Sequence, residues 1–228
     1  MEAFASHETR SRTHTMDRFF ADAAKGTLPA LTWIDPRQGI NKTLGNLGGP
    51  NSDHPSCCDV ALGERLREAI HLAQIDNGQV VFVDKRQASS RFATLARTGQ
   101  VAPAYCTGVG KAILAHLEPE AQAQALQQQA FLKYTDATHT STETLVRELE
   151  QIRAEGIAFD REEHEAGIIS IAAPILTDAG RVVGAVSIAT ATHRHTLDGL
   201  NAFRPALLDC ATRIGAEAQS WQSPSVPS

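Results

Sequence analysis

Hydrophobic and polar positions become regular only after about residue 68 of this chain. Ala69-Ile70-His71-Leu72-Ala73-Gln74-Ile75 and Gln79-Val80-Val81-Phe82-Val83 flank Asp76-Asn77-Gly78. Asn-Gly between two apolar runs predicts a hairpin, because both central residues of a type I′ turn need positive φ. A second hairpin is predicted where Ile168 to Ile175 and Val182 to Ile188 flank Asp178-Ala179-Gly180. Between them, the glycine turn Thr107-Gly108-Val109-Gly110 runs into a helical Lys111 to Leu117. Pro119 suits the first turn of a further helix reaching Gln129. Thr140-Ser141-Thr142-Glu143 has a capping-box pattern and opens a helix through Leu145, Leu149 and Ile152 that should stop at Gly156. Leu200, Phe203, Leu207, Cys210, Ile214, Ala218 and Trp221 trace one helical stripe, within which Pro205 marks a kink or a late helix start. Hairpins alternating with helices, without a βαβ cadence, predict an α+β fold: an antiparallel sheet with helices against it.

Residues 1–67 are different material. Met16 to Gly26 suits a short helix, Leu31 to Ile34 a strand, and Gly39 to Pro55 is loop. One helix and one strand cannot bury a core of their own. The expected organisation is therefore an N-terminal segment over 1–67, a domain over 68–222 and a frayed tail over 223–228.

Composition narrows the class without naming a function. The chain has 228 residues, 42% hydrophobic and 21% charged, with a formal net charge of −5. No run approaches the ~18 apolar residues of a membrane span, and the start lacks the basic and apolar regions of a secretory signal. The four cysteines show no C-x-x-C spacing. A disulfide framework and a zinc knuckle are thus not expected, and a reducing cytoplasm fits. The acidic balance argues against a broad phosphate-binding surface.

Three features carry candidate chemistry. The glycine turn fails as a nucleotide loop, with Tyr105 and Ala112 where glycine and a hydroxyl are required, and it fails the dinucleotide fingerprint at Ile113. What remains is a helix opening whose free amides favour a small anion; taken alone, a tight packing turn is the commoner reading. Asp160-Arg161-Glu162-Glu163-His164 reads as a solvated charged segment, since neighbouring side chains point apart and do not converge on a metal. Asp160 differs in following Ile157-Ala158-Phe159, so it is expected to point inward and to need hydrogen-bond partners. Ser170 and Ser187 sit inside apolar strands joined by one short turn, which can bring them near each other. No histidine stands at a spacing that nominates it as their base, so nucleophilic catalysis is unsupported. No enzyme activity, metal ligand or cofactor is expected.

Together these segments resemble the effector-binding domain of IclR-type bacterial transcriptional regulators. The likeness rests on Ile70-His71-Leu72, Val80 to Lys85, Thr107 to Ala112, Leu149 to Gly156, Phe159 to Gly167, Ile171 to Ile175 and Val183 to Ile188. It implies a GAF-like curved antiparallel sheet flanked by helices, a homodimer or homotetramer, and a pocket for a small organic-acid or aromatic-acid effector. Carried over by motif, the effector-binding residues are Gly108, Val109, Asp160, Ser170 and Ser187. A second serine often follows two residues on in the last strand, where this chain has Ala189.

The same resemblance implies a winged helix-turn-helix ahead of this domain. Residues 1–62 show no succession of three short apolar helices, so DNA contact is expected only if such a domain is supplied. Met16 to Pro36 and Ser52 to Glu64 instead resemble a stretch of bacterial phosphoesterases of the phospholipase C-like kind, without that fold's metal motifs. The expectation is a junction of two unrelated coding pieces with its seam between Gly63 and Ile70. Two alternatives stand beside the sensor reading: a metal-dependent phosphoesterase fragment, or an oligomerisation module that binds no ligand.

Overall fold

The computed structural model describes residues 68–86 and 96–220. The expectations for the helix and strand upstream, the seam and the tail lie outside them. Both hairpins form. β1 (Ala69–Asp76) and β2 (Gln79–Arg86) meet at Asn77 and Gly78, whose φ angles of 47° and 74° are those the turn demands. β5 (Ile168–Leu176) and β6 (Val182–Ala191) turn through Gly180 at φ 77°. Two short strands escape the periodic reading, β3 (Val101–Pro103) and β4 (Ala158–Arg161). The six form one curled antiparallel sheet in the order β3-β2-β1-β6-β5-β4, so the two shortest strands are its edges.

The helices fall close to expectation. α1 (Gly108–His116) begins three residues before Lys111, α2 (Pro119–Gln127) has its proline in the first turn, and α3 (Thr142–Glu155) ends at Gly156 in the left-handed conformation. The cap of α3 is one residue later than the pattern suggests: Ser141 Oγ, not Thr140, accepts from the Thr144 amide at 3.4 Å. The C-terminal stripe is split between α4 (Leu197–Asn201) and α5 (Arg204–Ser220). Pro205 thus sits in the first turn of α5, where its missing N–H costs nothing; it marks a late start rather than a kink. None of the described helices is long and apolar enough to cross a membrane.

Strand periodicity sorts residues by size onto the two faces of the sheet. One face carries Ile70, Ile169, Ile171, Ile175, Val186 and Ile188, packed against Leu200 of α4 and Leu207, Cys210 and Ile214 of α5. The other carries Ala73, Ala158, Ala172 and Ala185 and packs against α1 through Val109, Ala112 and Ile113. Small side chains let α1 lie low on the sheet. Because each step of two residues keeps the face, His71, Asp160, Ser170 and Ser187 all belong to this alanine-lined side.

Close helix approach on the opposite face depends on Gly215. A Cβ added there would stand 2.0 Å from the Leu176 carbonyl oxygen at the end of β5. Gly215→Ala is expected to push α5 off the sheet and to cost about 1–3 kcal/mol in urea unfolding. Unchanged stability would show that α5 does not rest on β5 at this point.

Candidate functional site

Thr107 caps α1. Its hydroxyl accepts from the Gly110 amide at 3.3 Å and donates to the Pro103 carbonyl at 3.0 Å, while the Lys111 amide reaches the Thr107 carbonyl at 2.9 Å. The amides of Gly108 and Val109 are left as first-turn donors without a helical partner. Gly108 also serves packing: a Cβ there would meet Ser170 Oγ at 2.6 Å. One residue therefore satisfies both readings of the glycine turn, with the helix opening laid directly on β5.

The strand register assembles the rest. Asp160 on β4 stands opposite Ser170 on β5, and Ser187 on β6 stands opposite His71 on β1. Ser170 faces Ala189 and Ser187 faces Ala172, so the two serines are diagonal neighbours across β5 and β6. All five expected residues, with His71, Phe82, Thr107 and His164, line one cavity of about 60 Å³ beneath the start of α1. Asp160, Ser170 and Ser187 are buried.

Burial, and next the nearby Glu163 carboxylate, push the Asp160 carboxyl up from its usual 3.8 to about 7. One of its oxygens accepts from the Glu163 amide at 2.8 Å. His71 is driven the other way, to about 3, by burial and then by Lys85, so its imidazole is neutral. The cavity floor thus combines helix-opening amides, two alcohols, a neutral imidazole and a carboxyl that holds a proton easily. A His71 ring of such low basicity would accept a proton poorly from the Ser187 hydroxyl across from it.

Sequence reading missed what supports this floor. Asp160 points inward as expected and Arg161 is exposed, but the rest of the charged run is not simply solvated. Glu163 is 2% exposed, and its carboxylate pairs with Lys111, which is fully buried on α1. Lys111 also reaches Glu148 on α3 at 2.9 Å, and Arg161 reaches the same Glu148 oxygen at 2.7 Å. Burial alone would raise the Glu148 carboxyl, but hydrogen bonding to His139 and the charge of Lys111 outweigh it and hold it at about 2. Charge is buried because opposite charge arrives from elsewhere in the chain, which a local window cannot register. A partial signal existed: Lys111 is the one formally charged residue in the otherwise apolar GVGKAILAH. His71 was legible only as a member of the Ala69, His71, Ala73 face.

Residues 60–216 match the family model described as bacterial transcriptional regulator IclR C-terminal. The chain is 31% identical over 177 residues to the HTH-type transcriptional regulator KdgR of Escherichia coli K12, covering 76% of this chain and 67% of that protein. It is 33% identical over 152 residues to KdgR of Dickeya chrysanthemi, spanning 67% of this chain but only half of that relative. The solved C-terminal domain of E. coli KdgR superposes with a TM-score of 0.65 at 29% identity, covering 72% of this chain and 95% of that domain. These relatives are transcriptional regulators, and the phosphoesterase resemblance of residues 16–64 finds no support in them.

Replacing Lys111 by Met keeps the apolar stem and removes the ammonium, leaving the buried Glu163 without its lysine and Glu148 held only by Arg161 and His139. The expected loss is about 3–5 kcal/mol at neutral pH, shrinking in mild acid as the stranded carboxyls take up protons. Urea unfolding at the two pH values reads both effects; a small, pH-independent loss would show that the ion pair does not hold α1 in place.

Proposed function

Because the chain belongs to the IclR C-terminal family, the effector-binding part of bacterial transcriptional regulators, we propose that the cavity under α1 senses a small carboxylic acid. The observation that supports this most is the meeting of Gly108, Val109, Asp160, Ser170 and Ser187 around one polar cavity. The acid's negative end sits on the Gly108 and Val109 amides, where the helix dipole adds to the hydrogen bonds. Ser170 and Ser187 donate to its remaining oxygens. A cavity lined this way favours sensing over ligand-free assembly, which would fill the space with side chains.

Size bears on the ligand class. An engineered cavity of about 150 Å³ takes benzene, whereas this one offers about 60 Å³. The reading is therefore a compact aliphatic acid of few heavy atoms rather than an aromatic acid. Binding signals by favouring one arrangement of a homodimer or homotetramer, and it reaches DNA only through a helix-turn-helix domain. No catalytic step, cofactor or membrane contact enters this reading.

Thermal unfolding with glyoxylate, pyruvate and 4-hydroxybenzoate tests the proposal. A true effector at about 100 times its Kd stabilises by about 2.7 kcal/mol. The aliphatic acids should raise the midpoint more than the aromatic one, and the double variant Asp160→Ala with Ser187→Ala should lose the shift. No shift with any acid, or an equal shift in the double variant, would reject the site.

The pH dependence has a definite sign. A carboxylate at Asp160 would repel an incoming anion, so the acid binds best when Asp160 carries its proton. Affinity should rise about tenfold per pH unit as pH falls from well above about 7, then level off below it. The same raised value means the fold holds a proton the unfolded chain releases, so this group's contribution to stability declines as pH rises from 3.8 towards about 7. Asp160→Asn, protonated in effect at every pH, should bind with a flat profile in calorimetry.

A further inference from the structure

A second polar centre lies behind the cavity wall, where the loop before α3, α3 itself and the turn after β4 converge. His139, Glu148 and Glu163 each bring one ligand atom to within 4.8 Å of the others. The distribution of contacts over the carboxylate oxygens is uneven. Lys111 and Arg161 both bind Glu148 at Oε1, and Lys111 binds Glu163 at Oε1. The Oε2 atoms face the other way, towards His139 Nε2, at 2.5 Å for Glu148 and 4.0 Å for Glu163. Glu163 Oε2 is buried and has no hydrogen-bond partner.

The imidazole is oriented by its other nitrogen. His139 Nδ1 lies 3.2 Å from Thr144 Oγ1, and that hydroxyl spends its proton on the Ser141 carbonyl at 3.0 Å. Nδ1 is then a donor, and Nε2 faces the two carboxylate oxygens, with its hydrogen bond to Glu148 Oε2 the one a bound ion would replace. The buried acceptor that this arrangement leaves unmet is Glu163 Oε2. A proton on Nε2 would serve the short line to Glu148 and leave Glu163 Oε2 orphaned. A metal ion would take all three atoms.

We propose that His139, Glu148 and Glu163 bind a zinc-type divalent ion through Nε2 and the two Oε2 atoms, with solvent completing the shell. Imidazole with two carboxylates suits such an ion, and a histidine that donates its second N–H to a neighbour is the usual oriented ligand. Bonds of about 2.0–2.2 Å ask the 2.5 Å contact to open and the 4.0 Å contact to close. Of the three ligands, Glu148 also borders an open surface cavity with Thr144, Arg147, Gln151 and Arg161. The ammonium and guanidinium on the Oε1 atoms weaken the ion's hold, which places the expected affinity in the micromolar range. Bound, the ion would tie α3 to the turn whose Glu163 amide holds Asp160. This inference stands whether or not the cavity under α1 binds an acid.

Titration of the full chain with Zn²⁺ by calorimetry, and with Co²⁺ by absorption, is the test. One ion per chain is expected, with a Co²⁺ spectrum free of thiolate charge transfer and affinity at least ~10-fold weaker in His139→Ala. His139 lies in a partly exposed loop, so its truncation spares the Lys111 pair; Glu163→Gln provides the second variant. Absence of binding at micromolar Zn²⁺, a thiolate spectrum, or equal affinity in His139→Ala would each overturn the site.

Discussion

The buried ammonium of Lys111 is the constraint on which the rest of the domain depends. It is fully buried on α1 and is neutralised from two directions, by Glu163 in the turn after β4 and by Glu148 on α3. Desolvating three charges is costly, and only opposite charge close by makes it tolerable. That pairing in turn requires one arrangement of helix, sheet edge and outer helix. The pair therefore specifies geometry more than it adds stability. What it specifies is the height of the α1 opening above the sheet and the position of Asp160 beside it.

The two faces of the sheet divide the work. The isoleucine-rich side supplies bulk burial against α4 and α5, where shape is filled and nothing polar is needed. The alanine-lined side gives up that burial, and the space it forgoes is where the amides of α1, the serines and Asp160 meet. A site of this kind uses the same period-two alternation that forms the core. Selecting a small residue instead of a large one on one face is enough to convert packing surface into cavity.

Much of this was legible in the chain. The Asn77-Gly78 hairpin and the stop at Gly156 follow from local conformational restriction, and local rules sufficed for them. Asp160, Ser170 and Ser187 could be singled out locally as polar residues beside or within apolar strands, and the family resemblance grouped them, but local pattern alone does not join all three because their meeting depends on register between β4, β5 and β6. Within the charged run, Glu163 was misread as solvated for the same reason. Its burial is set by Lys111, 52 residues away from Glu163. The edge strands β3 and β4, of three and four residues, have too little periodicity to be seen and form because a neighbour offers them a ladder.

Those short edges have a consequence for how copies of the domain can meet. The long strands β5 and β6 are interior and paired to each other along their length, whereas the edge strands β3 and β4 offer a ladder of only a few amides and carbonyls, β4 covering Ile169 to Ala172 of β5. Association by backbone zippering would gain little there, and Pro103 at the end of β3 removes one donor more. Assembly of these described units is steered towards side-chain surfaces. There, partner choice is written in residues that can vary without disturbing the sheet.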